Sequence, residues 1–590
     1  MPIFIMPRRA SCRPTRPRPE PSTERADYMR APAGAAPYSR MSRYLFFVPT
    51  VIFINAALLC SISLRLGADV NWDLLNYHFL NGYLWLHGKI FTDSICTVQS
   101  YLDPFLNSFY YILIDHFSPL VANLILASLQ SLSLSAVWLL CFRMTEHGFT
   151  MFQRIMLSSI ATLAALISPV FWSEIGGTMG DTLLDTPIII ALWCILEGFR
   201  TRRLLFFGIA GAFIGFACGL KFTNMEYALA LGGALIVTGI FESRSKFRGI
   251  FLNAFVFSAY SAVSFLATYG YFGWQMWSHF RNPIFPFFNN VFHSPFMAPQ
   301  AIHDGRWFPI DFAGYLSLPF RFAFVHHHTT SNHLVGMEIP FRTFFPALVL
   351  ILVPAVYFWA HSKRASSHQI KLPIIELYFL ATFVLLSFII WEKMFSYYRY
   401  FSAIETIAPA FSLISLSRLL SWRRMRPASI AGAALFVALI AGGSLYGTHA
   451  LADTNWGREQ FGRTYFGINK GEFKKYQNSL IIVGSAPLGF IIPYFPNTDK
   501  IIGIPERIPY LTSRFQKEYL GKLQDSKRIF YVSLVTNLTK HKLLLSKTYG
   551  LLVDFHNCKK YNTSAFAIAI CPATLRNSGA PPLTDEPNLK

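Results

Sequence analysis

Residues 44–78 read YLFFVPTVIFINAALLCSISLRLGADVNWDLLNYH, a long apolar run followed by polar and acidic residues. Its first part, residues 44–64, is an apolar run long enough to cross a bilayer as a helix. Asp69 and Asp73 follow directly, so two carboxylates come where that helix leaves the membrane. A carboxylate close to hydrocarbon is costly unless it has a partner or a function. The stretch therefore predicts a membrane protein with an active site built against the membrane surface.

Comparable apolar runs recur along the chain, which is 53% apolar and only 14% charged. Each of them approaches the length of a membrane-crossing helix. The runs are 44–64, 120–142, 151–172, 183–198, 204–220, 227–241, 250–272, 343–360, 372–391, 402–419 and 428–446. Residues 103–117 are apolar but short, so we predict a juxtamembrane helix on the outer face there. The fold class predicted is an all-α polytopic membrane protein of about 11 transmembrane helices, with a small extracytoplasmic α/β domain at its C-terminus.

Lys and Arg are distributed unevenly between the two sides of the membrane. If the spans alternate, five loops on one side hold fifteen Lys and Arg against three acids in or beside them, and residues 173–182 on the other side hold none. Because cytoplasmic loops are enriched in Lys and Arg, the N-terminus is predicted to be cytoplasmic and the C-terminal domain extracytoplasmic. The net charge of +21 then comes mostly from topology and a basic tail, so it does not argue for a nucleic-acid partner.

Three regions follow from this pattern. Residues 1–43 are predicted to be a disordered basic cytosolic tail, because they combine nine Arg with many Pro and Ala. Residues 44–446 form the transmembrane domain, with long outer loops at 65–118 and 273–342. Residues 447–590 form the small domain, with strands predicted at 479–483, 528–535 and 565–571, a helix at 513–523 and a disordered tail from 577. A disulfide between Cys558 and Cys571 is predicted for this outer domain.

The first outer loop carries the candidate catalytic groups. On one α-helix, Asp69, Asp73, Asn76 and Tyr77 would share a stripe, with His78 next to them. We predict that Asn76, Tyr77 and His78 bind the substrate. Two shielded carboxylates one turn apart would repel, so one should have a raised pKa and could act as a general base or bind a divalent metal. The plainer alternative is that Asp69 caps the helix that follows.

The motif Trp72-Asp73-x-x-Asn76-Tyr77, with Gly88 and then Gln99-Ser-Tyr-x-Asp103-Pro104, resembles the first outer loop of the GT-C glycosyltransferases. Lipid A aminoarabinose transferases and protein O-mannosyltransferases share this layout, although Leu74 stands where their commonest pattern has an acid. The resemblance implies a polyprenyl-phosphate-linked sugar donor and an extracytoplasmic acceptor that is a glycan, lipid or protein. It implies that Asp73 is the catalytic base, with Asp69 and Asp103 as further catalytic candidates, and it suggests a bacterial inner membrane. No cofactor is required, and a divalent metal is left open.

Cations near the outer ends of spans fit a donor that carries phosphate. Lys221 and Arg399, the latter beside Tyr398, could pair with a lipid phosphate and stabilise the leaving group. Their plainer explanation is snorkelling at the interface. In the second outer loop, Arg281 and Arg306 are further candidates for the donor phosphate, and a weaker metal hypothesis concerns the histidines at His326, His327, His328 and His333. Capping explains Asp181 as readily as catalysis does.

The predicted function is therefore sugar transfer, by a single displacement with inversion, in contact with membrane lipid. A carrier or flippase for a lipid-linked or polar substrate is the main alternative, and a non-catalytic assembly subunit is another. Transporters usually bury charged residues near the middle of the bilayer and consist of two repeated halves. This sequence has almost no charged residue in the middle of a predicted span and no evident internal repeat, which favours the enzyme.

Overall fold

The computed structural model describes residues 37–93, 98–242, 247–302, 308–324, 343–365, 371–421, 426–447, 457–484, 486–503, 526–538, 542, 545–546 and 550–575. Several predictions concern residues outside these ranges. They are most of the basic tail, Arg306, the histidines His326, His327, His328 and His333, the helix at 513–523, and the tail from 577.

Most of the described chain is helical. In chain order the helices are α1 (Pro37–Leu66), α2 (Phe79–Leu86), α3 (Phe105–His116), α4 (Pro119–Met144), α5 (Met151–Leu166), α6 (Pro169–Glu174), α7 (Asp181–Thr201), α8 (Leu204–Leu220), α9 (Met225–Glu242), α10 (Phe247–Phe280), α11 (Asn289–Phe292), α12 (Phe312–Phe324), α13 (Phe345–Ala365), α14 (Leu372–Met394), α15 (Ser402–Leu420) and α16 (Pro427–Gly447).

The predicted spans agree with these helices. Among the described residues, nine helices are long and apolar enough to cross a membrane, and the shorter apolar helices α5 and α8 occupy two further predicted runs. The run 151–172 is divided in two, because the chain leaves the helical path before Pro169 and α6 starts there. Helix α3 has 12 residues, about 18 Å, which is too short to cross a bilayer, as predicted for residues 103–117.

Close helix packing inside the membrane domain depends on small residues. Helix α8 lies against α10 along Gly211 and Gly215. A Cβ atom at Gly211 would lie 2.1 Å from the carbonyl oxygen of Phe257, and one at Gly215 would lie 2.1 Å from that of Ser261. Only glycine allows the two backbones to approach this closely, as in small-residue interfaces between membrane helices.

A buried ion cluster joins three helices at the end remote from the C-terminal domain, which is called the outer domain after its predicted location. Arg143 of α4 is almost fully buried and donates to Glu376 of α14 at 2.7 Å. It also pairs with Glu197 of α7. Buried charges are tolerated when they are paired, and losing one partner would leave an uncompensated charge. The cluster therefore ties the far ends of α4, α7 and α14 together.

The outer domain is built on a mixed sheet. After the short pair β1 (Ala68–Asp69) and β2 (Arg458–Glu459), its strands are β3 (Leu480–Val483), β4 (Lys500–Gly503), β5 (Ile529–Leu534), β6 (Leu551–Val553), β7 (Lys559–Asn562) and β8 (Ala567–Leu575). The order is β4-β3-β5-β8-β6, with β7 also on β8; β3 is parallel to β4 and β5, and the other pairs are antiparallel. Strand β3 is buried on both faces, as expected for a parallel strand.

The strands predicted at 479–483, 528–535 and 565–571 correspond to β3, β5 and β8. The predicted disulfide between Cys558 and Cys571 is present.

The outer domain and the first outer loop share one hydrophobic cluster. Phe79 of α2 packs against Phe466 and Tyr494 of the outer domain, with ring centroids 5.2 and 6.2 Å apart. Tyr111 of α3 also packs against Phe79, with ring centroids 5.1 Å apart. The sheet domain thus lies directly on the loop that leaves the first membrane helix.

Candidate active site

Asp69 is held in a structural network. It lies in β1, opposite Arg458 of β2. Its carboxylate accepts hydrogen bonds from the backbone N–H and the hydroxyl of Thr178, both at 2.7 Å, and from the side-chain amide of Asn71 at 2.7 and 2.9 Å. Buried polar groups are normally paired in this way. Both carboxylate oxygens of Asp69 therefore accept hydrogen bonds, and those from Thr178 connect the first outer loop to the loop 173–182. The catalytic role predicted for Asp69 stays a prediction.

The helix that carries Asp73 starts later than predicted. It begins at Trp72, and the side-chain oxygen of Asn71 accepts the N–H of Leu74 at 2.8 Å. This is the geometry of an N-cap. The alternative that Asp69 caps the helix was therefore wrong, because a strand residue stands there and Asn71 fills the capping position.

The predicted stripe on one α-helix was also wrong. Leu74–His78 form a π-helical turn, in which the N–H of Phe79 donates to the carbonyl of Leu74, five residues earlier. This turn is wider than an α-turn, so spacings of three and four residues do not align side chains there. Asp69 lies outside the helix altogether. Such turns are frequent at functional sites, and this one holds Asn76, Tyr77 and His78, all buried.

Four charged side chains meet next to this turn. A guanidinium nitrogen of Arg399 donates to Asp73 at 2.9 Å, and Nε of Arg399 lies 3.7 Å from Asp181. Lys221 pairs with Asp181 and donates to the carbonyl of Met179 at 3.0 Å. All four side chains are shielded, from 3% exposed for Asp181 to 18% for Lys221. The structure thus brings together Asp73, Lys221 and Arg399, which the sequence predicts separately.

The electrostatics of Asp73 differ from the expectation of a raised pKa. Burial raises the pKa of Asp73 and is the largest single influence on it, but the charge and the hydrogen bond of Arg399, together with smaller contributions that include the charge of Lys221, outweigh burial. The pKa therefore lies below the ordinary value of a carboxyl. The prediction assumed that Asp69 is the nearest charge, whereas the nearest charges are cations contributed by distant helices.

Aromatic rings line the same site. Lys221 and Arg399 both lie over the ring of Tyr400, 5.3 and 5.4 Å from its centroid. His78 packs against Tyr77 and Tyr110, with centroids 4.4 and 5.6 Å apart. Burial lowers the pKa of His78 to about 3, so its imidazole is neutral at ordinary pH. Its Nδ1 has no hydrogen-bond partner among the described residues.

Two acids in the site have roles that sequence reasoning missed. Asp181 is the first residue of α7 and bridges Lys221 and Arg399. Glu174 ends α6 and accepts from the backbone and hydroxyl of Thr182 at 3.0 and 2.9 Å. Burial and the charge of Asp181 raise the pKa of Glu174 to about 8. For Asp181 the signal was the absence of Lys and Arg from residues 173–182, because an ionised acid without a local cation needs a cation from elsewhere in the fold.

Asp103 lies at the start of α3, away from the four-charge network. One of its oxygens accepts the N–H of Phe105 at 2.9 Å, and the other has no hydrogen-bond partner among the described residues. Burial raises the pKa of Asp103 to about 8, so the group is largely protonated at neutral pH. The catalytic role predicted for Asp103 stays a prediction. With this pKa, Asp103 would act as a neutral acid rather than as a base.

Tyr398 and Arg281 lie elsewhere. Tyr398 is buried against Phe322 of α12, with centroids 4.5 Å apart, while its neighbour Arg399 points to Asp73. Arg281 is exposed just after the end of α10. In the described part of the chain it forms no hydrogen bond or ion pair with Asp73, Lys221 or Arg399. Their predicted roles in donor binding stay predictions.

A metal site was left open by the sequence. In the residues that the structure describes, no group of three or more His, Cys, Asp or Glu is arranged to hold a metal ion. Asp69 accepts hydrogen bonds from Thr178 and Asn71, whereas Asp73 pairs with Arg399, so the two carboxylates that suggested a metal have different partners.

Fold and site together define a polytopic helical membrane protein in which ionised side chains gather beneath an outer sheet domain. No protein-family model and no curated protein matches the sequence. Among solved structures, similarity is found to ArnT from Cupriavidus metallidurans bound to undecaprenyl phosphate, with a TM-score of 0.42 and 14% identity over 88% of this chain and 97% of that one. The apo state of the same protein gives a TM-score of 0.40 and 15% identity over 90% and 98%.

Proposed function

We propose that this protein is a glycosyltransferase that moves a sugar from a polyprenyl-phosphate-linked donor to an extracytoplasmic acceptor. The observation that carries the proposal is the contact between Asp73 and Arg399, with Lys221 in the same network. A candidate base and two cations meet where membrane helices end. The phosphate of a lipid-linked donor lies at that depth, and cations bind phosphate oxygens strongly.

The reaction is a single displacement. The acceptor hydroxyl attacks the anomeric carbon of the donor sugar while Asp73 takes its proton. The bond between that carbon and the phosphate oxygen breaks, and its electron pair leaves with the phosphate. The products are the glycosylated acceptor, with inverted configuration, and the polyprenyl phosphate.

Arg399 and Lys221 supply the electrostatic part of the reaction. Negative charge develops on the departing phosphate, and cations already positioned there stabilise the transition state more than the ground state. Because the site is shielded from water, this interaction is weakened little by solvent. No step of this scheme calls for a cofactor, and whether a divalent metal contributes is decided by adding a chelator to the assay.

The proposed location is the bacterial inner membrane, with the N-terminus in the cytoplasm and the sheet domain outside. The acceptor, a surface glycan, a lipid or a protein, would then reach the site from the outer side. The polyprenyl chain would remain in the bilayer between the helices, which is why membrane lipid is a partner in the proposal.

The test is transfer in vesicles that contain the purified protein and a panel of polyprenyl-phosphate-linked radiolabelled sugars. We expect label to move covalently to an envelope acceptor, and Asp73→Asn to lower the rate at least a thousandfold without changing expression. Asp115→Asn is the matched control, since Asp115 is an outer carboxylate that pairs with the exposed Lys470 at 3.0 Å. It should leave the rate unchanged.

Retention of transfer in Asp73→Asn would show that another group is the base. Movement of label across the membrane without a new covalent bond would instead identify a carrier or flippase and reject the enzymatic proposal.

A further inference from the structure

The outer domain touches the π-helical turn at a glycine. Gly489 starts the short 3₁₀ segment Gly489–Tyr494. A Cβ atom at this position would lie 2.0 Å from the carbonyl oxygen of Asn76 and 3.3 Å from that of Leu75. No side chain fits there, so glycine is needed for close approach to the backbone rather than for an unusual dihedral angle.

Two hydrogen bonds hold the segment 70–83 on either side of this contact. Before the turn, the N–H of Val70 donates to the carbonyl of Gly457 at 2.9 Å. After it, the hydroxyl of Tyr83 donates to the side chain of Asn497 at 2.6 Å. The outer domain therefore contacts the segment that carries Asp73 before, within and after the π-helical turn.

We propose that Gly489 is a positioning residue, through which the outer domain sets the place of Asp73 opposite Arg399. Its catalytic part rests on the proposed function, whereas its structural part does not. Arg399 is contributed by a distant part of the membrane domain, so the Asp73–Arg399 contact depends on where the turn lies. The outer domain would then be a component of the active site and not an appendage to the membrane domain.

The size of the effect follows from the geometry. A methyl group at position 489 cannot remain 2.0 Å from an oxygen, so the turn or the segment must move by at least about 1 Å to relieve the clash. A displacement of about 1 Å at reacting groups can cost roughly a hundredfold in rate. The 2.9 Å contact between Arg399 and Asp73 would lengthen as well.

The experiment compares Gly489→Ala with Gly462→Ala. Gly462 is an exposed glycine of the same outer domain, where an added Cβ meets a single backbone oxygen, that of Thr464, at 3.3 Å. Three quantities are measured on folded, full-length protein in vesicles: hydrogen exchange of the peptide 72–86, kcat for transfer, and the pH dependence of kcat/KM. Gly489→Ala should exchange at least tenfold faster in that peptide and lose roughly a hundredfold in kcat, and Gly462→Ala should match the wild type.

The pH profile separates positioning from general loss of structure. Because Arg399 lowers the pKa of Asp73, a longer contact should move the acidic limb of kcat/KM to higher pH in Gly489→Ala. Unchanged exchange in 72–86, or a lower kcat with an unmoved limb, would overturn the inference. If the wild type transfers no sugar, the proposed function fails, and the exchange data still decide whether Gly489 positions the turn.

Discussion

Arg399 is the residue on which the proposed chemistry depends most. It contacts Asp73 and lies near Asp181, and in the proposed reaction it also binds the donor phosphate. A guanidinium that binds phosphate has fewer donors left for a carboxylate, because its five N–H groups are fixed in a plane. Donor binding should therefore weaken the hold of Arg399 on Asp73. The pKa of Asp73 would rise towards that of an ordinary carboxyl, which makes it a better base only when the donor is present.

A testable consequence is that Asp73 and the donor phosphate compete for Arg399. Asp73→Asn should bind polyprenyl phosphate roughly tenfold more tightly than the wild type, about 1.4 kcal/mol, although it transfers sugar roughly a thousandfold more slowly. In the wild type, the acidic limb of kcat, which reports the donor complex, should lie at higher pH than the limb of kcat/KM, which reports the free enzyme. Asp115→Asn serves as the control for binding. Weaker binding by Asp73→Asn would mean that Asp73 orients Arg399 for the phosphate instead of competing with it.

At this scale the sequence predicts individual residues but not their pairing. Asp73, Lys221 and Arg399 stand out because a charged residue beside an apolar run needs an explanation. Arg399 comes 326 positions after Asp73, and no local pattern indicates that the two meet. The position of Asp181 between Lys221 and Arg399 also depends on tertiary contacts. From the sequence alone, helix capping therefore explained Asp181 as well as catalysis did.

Among the elements, the π-helical turn is what sequence periodicity could not reveal. The segment Leu-Leu-Asn-Tyr-His has no composition that distinguishes a π-turn from an α-turn, and the wider turn is accompanied by contacts from the outer domain. The strands β3 and β5 were predictable, because runs of β-branched and aromatic residues between turn residues are typical of buried strands. Local sequence therefore predicts the regular helices and strands, whereas the π-helical turn at the candidate site depends on tertiary contacts.

The start of the helix that carries Asp73 depends on Asn71. Its side chain caps the helix through Leu74 and donates to Asp69 and to Thr178. Asn71→Ala should lower the free energy of unfolding by about 2 kcal/mol, because it removes a cap and leaves Asp69 with fewer donors. Thermal unfolding in detergent would show this as a lower melting temperature. Asn557→Ala, which removes an exposed hydrogen bond to Asp554 at 2.6 Å, should change it little; equal losses in both variants would contradict the assigned role.

Across the whole molecule, two polar clusters lie at opposite ends of the same helices. Asp181 starts α7 at the candidate site, and Glu197 lies 16 residues later in the Arg143 cluster, about 24 Å along the helix axis. The candidate site is at the same end as the sheet domain, as the contacts of Tyr83 and Gly489 show. The helices themselves were predictable, since long apolar runs have few alternatives to membrane spans. The side of the membrane on which each cluster lies follows only from the distribution of Lys and Arg.

That distribution makes a prediction for the entire chain. Alkaline phosphatase, which is active only outside the cytoplasm, should be active when fused after residue 575 and inactive when fused after Thr201, while green fluorescent protein should give the opposite pattern. The reason is that fifteen Lys and Arg lie in the five loops assigned to the cytoplasm. If both fusions report the reverse orientation, Asp73 and Arg399 would face the cytoplasm, and an extracytoplasmic acceptor could not reach them. A mixed result, with both sites on one side, would instead require an even number of spans between Thr201 and the outer domain. That would conflict with the seven apolar helices that the described residues form between them, which are α8, α9, α10, α13, α14, α15 and α16.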